Sequence, residues 1–152
     1  MLALDTEFLR ERTFRPQPCL LQVGTHDEQA AVDVIALTGE ALAPLRDLLF
    51  DRARVKVLHA CSQDLEIFQI LFGDIPDPVF DTQVAAAFVG HRLQMGYGAL
   101  VGAVCGVHLP KTESLTDWTR RPLDPEQVSY AEDDVRYLPA VYDGLVAELV
   151  RL

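Results

Sequence analysis

Leu2-Ala3-Leu4-Asp5-Thr6-Glu7-Phe8 is the stretch from which the rest of the chain can be read. An apolar run passes straight into two carboxylates, Asp5 and Glu7, with a single residue between them. Side chains on a strand alternate faces, so Asp5 and Glu7 leave it on the same side. Leu2 and Leu4 precede them without an intervening charge, and the first half reads as a buried strand. Like charges held this close repel and raise each other's pKa unless a cation stands between them. Hard divalent ions such as magnesium or manganese take oxygen ligands of this kind. The competing reading is a strand leaving the core with its acids solvated at the rim. Taken alone, the stretch favours that plainer reading.

A chain of 152 residues is long enough for one domain with a real core, and 49% hydrophobic content with mixed charge fits an ordinary globular fold. No apolar run reaches membrane-spanning length, and no basic segment leads into a long apolar one near the N-terminus, so neither a membrane span nor a signal peptide is expected. Cys19, Cys61 and Cys105 are scattered and form no Cys-x-x-Cys pair, which argues against a disulfide scaffold or a zinc site and fits a reducing, cytoplasmic setting. The formal charge of −10 speaks against a nucleic-acid partner, because phosphate binding usually needs a basic surface. Acids that hold metal ions contribute less negative potential than their number suggests.

Beyond Phe8, residues 9–18 read as a loop carrying Arg10, Arg12 and Arg15. Cys19 to Val23 reads as a strand, with Ala30 to Ile35 as its hairpin partner, so that three strands form an antiparallel meander. Leu42 to Phe50 has helical spacing, with Thr38 as a cap and Pro44 in the first turns. Val55 to Leu58 is an apolar strand after a helix, as in a parallel crossover. Ser62 can cap a helix that turns Leu65, Phe68 and Leu71 inward and places Asp64 in its first turn. An acid there complements the helix dipole, which is its plain reading.

Val79 to Asp81 is a short strand, Thr82 to Val89 a short helix, and Tyr97 to Cys105 a helix interrupted by Gly98 and Gly102. Residues 109–123 show little periodicity but carry Lys111, Trp118, Arg120 and Arg121. That mixture suits an ordinary surface loop with one buried Trp, or a substrate-facing segment with cations for phosphates and an aromatic for stacking. Asp124, Pro125 and Gln127 make a strong helix start, and one helix is expected to run to about Leu149 with a disturbance near Pro139. On it Tyr130 and Asp134 share a face.

The chain therefore offers four acids in three separated segments: Asp5 and Glu7, Asp64, and Asp134 with Tyr130 one turn before it. Two divalent ions can clamp the attacking and leaving oxygens of an in-line phosphoryl displacement. One segment cannot surround two ions, so carboxylates must converge from different elements. A tyrosine hydroxyl can orient the attacking water by hydrogen bonding.

Leu4-Asp5-Thr6-Glu7-Phe8, then His59-Ala60 with Asp64-Leu65-Glu66, then Tyr130-Ala131-Glu132-Asp133-Asp134 resemble the three motifs of the DEDD 3′–5′ exonucleases. Tyr130 marks the tyrosine subgroup. The strand Cys19 to Val23, Phe80-Asp81-Thr82-Gln83 and Thr116-Asp117-Trp118 with Arg121-Pro122-Leu123 extend the resemblance to the ribonuclease D family over nearly the whole chain. The resemblance implies an α/β, ribonuclease H-like fold: a mixed sheet of about five strands, an antiparallel meander plus parallel strands, flanked by helices. It implies two divalent cations, magnesium or manganese. Asp5, Glu7 and Asp134 would hold the ion that activates water, Asp5 would bridge to the second, Asp64 would act on that second ion through water, and Tyr130 would position the nucleophile. Thr6 and Phe8 would lie near the terminal nucleotide, with Lys111, Trp118 and Arg121 as further substrate-binding candidates. The activity implied is stepwise removal of nucleoside 5′-monophosphates from single-stranded RNA 3′ ends, as in maturation of transfer RNA precursors.

Relatives usually carry an additional N-terminal segment and C-terminal helical RNA-binding domains. Here residues 1–152 are expected to form a single exonuclease domain with a short N-terminus. A DNA exonuclease of the same chemistry and a catalytically silent binding module on the same fold remain the alternatives. Asp81 could be a fifth site acid or a turn cap, and His26, His59, His91 and His108 are too dispersed to form a metal site.

Overall fold

The run that opens the chain forms β1 (Leu2–Leu9), the middle strand of the sheet in a computed structural model that describes residues 1–10, 15–110 and 117–152. β2 (Gln17–Gly24) and β3 (Gln29–Asp33) follow as an antiparallel meander, with Asp5 opposite Gln22 and Leu20 opposite Asp33. β4 (Lys56–Leu58) and β5 (Val79–Asp81) extend the other side of β1 in parallel. The order is β3-β2-β1-β4-β5, the expected mixed sheet of five strands. Parallel strands need crossovers. α1 (Ala43–Leu49) precedes β4, and α2 (Ser62–Phe72) joins β4 to β5. The remaining helices are α3 (Thr82–Phe88), α4 (Tyr97–Cys105), α5 (Pro125–Arg136) and α6 (Leu138–Leu149).

The two-residue period of β1 divides the core. Leu2 and Leu4 bury against α1 and α2, together with Leu21, Leu49, Leu58 and Phe68. Ala3 buries on the opposite face with Val57, Val135 and Leu138, against α5 and α6. Each fully buried leucine or phenylalanine here contributes roughly 1.5–3 kcal/mol. By the same parity Asp5 and Glu7 turn toward α5, while Thr6 turns toward α2. β4 pairs only with the start of β1, at Leu2 and Ala3, so the carboxylate-bearing half of β1 extends past the end of β4. The turn from β4 into α2 brings Asp64 alongside that extension.

Several boundaries differ from the sequence reading. β3 stops at Asp33 because its carboxylate accepts the N–H groups of Ile35 and Ala36, which closes a turn. Thr38 precedes a 3₁₀ turn (Gly39–Leu42) instead of capping α1, and makes no side-chain cap. Ser62 is the first residue of α2, not its cap, and Asp81 instead binds the N–H groups of Ala60 and Cys61. The expected long C-terminal helix is two helices broken at Tyr137. Pro139 has no N–H for the carbonyl of Val135 and its ring crowds that carbonyl, which stops α5 from continuing. Among the described residues no helix is long and apolar enough to cross a membrane.

Candidate active site

Carboxylates from β1 and α5 meet where β1 runs beyond β4. One oxygen from each of Asp5, Glu7 and Asp134 lies within 4.8 Å of the others. Asp134 reaches them because Asp124, Pro125 and Gln127 start α5 at a fixed point, the Asp124 N–H donating to Gln127 Oε1 at 3.0 Å. α5 then presses on the sheet at Gly24, where an added Cβ would meet the Val135 carbonyl oxygen at 3.0 Å and Val135 Cβ at 3.2 Å. Only glycine lets the helix sit this close, and Val135 is the next residue after Asp134.

Asp64 approaches from the other face, in the first turn of α2 and only 7% exposed. Thr6 Oγ1 donates to its Oδ1 at 2.5 Å. Asp64 lies outside the group of three, yet its charge helps to raise the pKa of Asp5. The dipole reading of Asp64 is therefore insufficient: burial costs the carboxylate more than the helix N-terminus returns.

Burial raises every carboxyl of the group above its ordinary range. Burial pushes Asp5 well above the ordinary carboxylate range, and the charges of Asp134, Asp64 and Glu7 push it further. Glu7 rises to about 8, through burial and then Asp134. Asp134 rises to about 6 through burial, held back by hydrogen bonds with Asp5 and Glu7. Burial also raises Asp64, against the lowering effect of the Thr6 hydroxyl. Four acids raised by burial, three of them with oxygens within 4.8 Å of one another, are poorly explained as a solvated rim. Their donor set of hard oxygens fits a divalent cation, and Asp5, Glu7 and Asp134 each offer one converging oxygen to such an ion.

Tyr130 borders a cavity of about 240 Å³ that Leu109, Pro110, Ser129 and Asp134 also line. Burial first, then the charges of Asp134, Glu7 and Asp5, push its hydroxyl to about 12. The phenol is therefore neutral near pH 7 and suited to hydrogen bonding, not to acting as a base. A second, smaller cavity of about 70 Å³ lies between Asp5, His59, Tyr97 and Asp134.

The remaining candidates divide. Phe8 is half-buried just past a register shift between Glu7 and Phe8, and Thr6 is buried on Asp64. Lys111 lies outside the described residues, as do Arg12 and Thr116. Trp118 is 6% exposed and packed on Cys19, Leu20 and Ala131, so it does not offer a face for base stacking. Arg121 is not available for phosphate either. Its guanidinium forks onto Asp33 at 2.8 and 2.9 Å and donates to the carbonyls of Trp118, Arg120 and Cys19. Asp81 is a joint, not a site acid: it accepts four backbone N–H groups, from Ala60, Cys61, Gln83 and Val84.

Two neighbours of the site were not anticipated. Gln22, fully buried opposite Asp5, donates from Nε2 to Glu7 Oε1 at 3.3 Å, while its own Oε1 has no partner. A lone amide inside Cys-Leu-Leu-Gln-Val is the signal that could have found it. Tyr97 donates its hydroxyl to the Asp133 carbonyl at 2.7 Å and packs on His59, which fixes α5 from below. No local pattern marks it.

Comparison with known proteins agrees with this geometry. A family model described as 3′-5′ exonuclease matches residues 1–150. The chain is 48% identical over 144 residues to a ribonuclease D of Granulibacter bethesdensis, covering 95% of this chain and 36% of that protein. The crystal structure of Escherichia coli RNase D, an exoribonuclease involved in structured RNA processing, superposes with a TM-score of 0.93 at 42% identity, over 99% of this chain and 40% of that one. Brucella melitensis NrnC superposes at 29% identity over 99% of this chain and 73% of its own, with a TM-score of 0.86 with bound Mg2+ and 0.88 bound to pGG. The chain thus spans well under half the length of the curated relatives it matches.

Proposed function

The chain belongs to the 3′–5′ exonuclease family and is similar to ribonuclease D, and on that premise we propose that it removes nucleoside 5′-monophosphates one at a time from RNA 3′ ends. The observation that carries the reading is the convergence of Asp5, Glu7 and Asp134 within 4.8 Å, from a strand and a helix more than a hundred positions apart. Residues 1–152 act as one exonuclease domain.

Asp5, Glu7 and Asp134 would hold one divalent cation, Mg2+ or Mn2+. Asp5 and Asp64 would together hold a second. Such ions supply a water of lowered pKa and neutralise charge on the phosphate. Tyr130 hydrogen-bonds and orients the attacking water, its hydroxyl staying protonated near pH 7. Thr6 holds the Asp64 carboxylate in one orientation. The cavity beside Tyr130 receives the terminal nucleotide, and Thr6, Phe8 and Lys111 remain proposed substrate-binding residues. Single-stranded ends of structured RNAs, transfer RNA precursors among them, are the proposed substrates, supported by the similarity to E. coli RNase D.

The test is digestion of a 3′-hydroxyl RNA with Mg2+ or Mn2+. The expected products are 5′-monophosphates released from the 3′ end. Asp5→Asn and Asp134→Asn should each slow release by more than ~100-fold, beyond what loss of a ligand's supporting contact costs. Tyr130→Phe should slow it by roughly 10²-fold. An unchanged rate in Asp5→Asn sinks the reading. Preference for single-stranded DNA in direct competition would move the substrate from RNA to DNA.

A further inference from the structure

We propose that Arg121, braced by Asp33, sets the position of the Tyr130 ring and does so through the indole of Trp118. The inference rests on the proposed role of Tyr130, which it deepens.

Arg121 has five N–H donors and the structure gives each a partner. Nε and Nη2 fork onto Asp33 Oδ2 and Oδ1 at 2.8 and 2.9 Å. Nη1 donates to the Trp118 and Arg120 carbonyls at 2.6 and 2.9 Å, and Nη2 also reaches the Cys19 carbonyl at 3.2 Å. One side chain therefore ties three segments together: β2 at Cys19, the end of β3 at Asp33, and the stretch that carries Trp118. A bidentate fork of this kind, here half-buried, holds geometry, not only charge.

Through the Trp118 carbonyl it fixes the backbone from which the indole projects. Trp118 is 6% exposed, wedged among Cys19, Leu20 and Ala131, and its ring lies 6.1 Å from that of Tyr130 with 31° between the planes. α5 fixes the Cα of Tyr130 but leaves its side-chain torsions free. The indole closes one side of the ring and selects among its rotamers. A small displacement of a hydroxyl that orients a nucleophile is expensive in rate, as much as 10²-fold for about 1 Å. Arg121 is thus a positioning residue two contacts removed from the chemistry.

Trp118 is the single tryptophan of the chain and there are four tyrosines, so both links can be observed without any assay of hydrolysis. In Arg121→Lys, which keeps the charge but cannot fork, Trp118 emission should shift to the red and become more accessible to acrylamide. In protein labelled with 3-fluorotyrosine, the fluorine resonance that disappears in Tyr130→Phe should shift or broaden in Arg121→Lys. Asp33→Asn should produce both effects more weakly. Circular dichroism melts establish that each variant is folded at the temperature used. For hydrolysis, kcat should fall about 10-fold with KM and Mg2+ affinity unchanged. The loss should vanish in the Tyr130→Phe background, because two residues acting as a unit are non-additive. Unchanged Trp118 emission and an unchanged Tyr130 resonance in folded Arg121→Lys overturn the inference, whether or not the wild type hydrolyses RNA. A full additive loss on top of Tyr130→Phe overturns it as well. An inactive wild type with both spectroscopic effects present removes the exonuclease reading and leaves the positional coupling standing.

Discussion

Gln22 places one amide between two demands. Its Nε2 steadies Glu7 Oε1, while its Oε1 is fully buried without a partner. An unsatisfied buried oxygen costs about 1–3 kcal/mol. A donor fixing a ligand carboxylate is worth about 10–100-fold in metal affinity. Gln22→Met preserves the volume and removes both groups. We expect the metal-free variant to be as stable as the wild type or more so in a thermal melt, while calorimetry shows Mg2+ binding at least about 10-fold weaker. Unchanged Mg2+ affinity would show that Glu7 needs no such support.

At the scale of elements, the site depends on how closely α5 approaches β2. The contact at Gly24 is against backbone as well as side chain, so a methyl group there must move the helix that carries Tyr130 and Asp134. Gly24→Ala should cost about 1–3 kcal/mol of stability in denaturant unfolding. It should also weaken Mg2+ binding. Gly144→Ala is the comparison, since its added Cβ would meet Val104 Cγ1 at 2.7 Å, between α6 and α4. That variant should lose stability with Mg2+ affinity retained. Equal losses of affinity in both would mean that the site responds to general loosening and not to the placement of α5.

Over the whole molecule, the raised carboxyls make stability and metal binding depend on pH in opposite senses. Glu7 stands at about 8 and Asp134 at about 6, against ordinary values of 4.5 and 3.8. Across that window the folded metal-free chain binds more protons than the unfolded chain, so its stability falls as pH rises. Divalent cations bind the deprotonated carboxylates, and their stabilising effect grows over the same window. The Tm in EDTA should therefore decline from about pH 5 to about pH 8, while the rise in Tm on adding Mg2+ increases. Asp33 contributes with the opposite sign: Arg121 holds it at about 2, so its share of stability is lost as pH falls from about 4 toward about 2. A Mg2+ increment that is flat between about pH 5 and 8 would contradict the coupling. In the proposed function the same cations would offset part of the −10 charge where an RNA backbone approaches.

Periodicity and spacing by themselves determined a great deal. The alternation in Leu2 to Phe8 separates a buried face from a carboxylate face, the capping residues Asp124 and Gln127 start α5, and three acidic motifs in order select the family. These are local matters, readable because a strand's two-residue period and a helix's 3.6-residue period act on neighbours along the chain. Tertiary structure decided which long-range partners those residues meet. Nothing near Asp64 in sequence announces Thr6, nothing near Arg121 announces Asp33, and nothing near Gly24 announces Val135. Trp118 and Arg121 carry the composition of a nucleic-acid-binding loop, yet packing buries Trp118 and five hydrogen bonds within the chain engage the half-buried Arg121. Whether a cation or an aromatic faces solvent depends on contacts made across the fold, and local sequence carries no record of them.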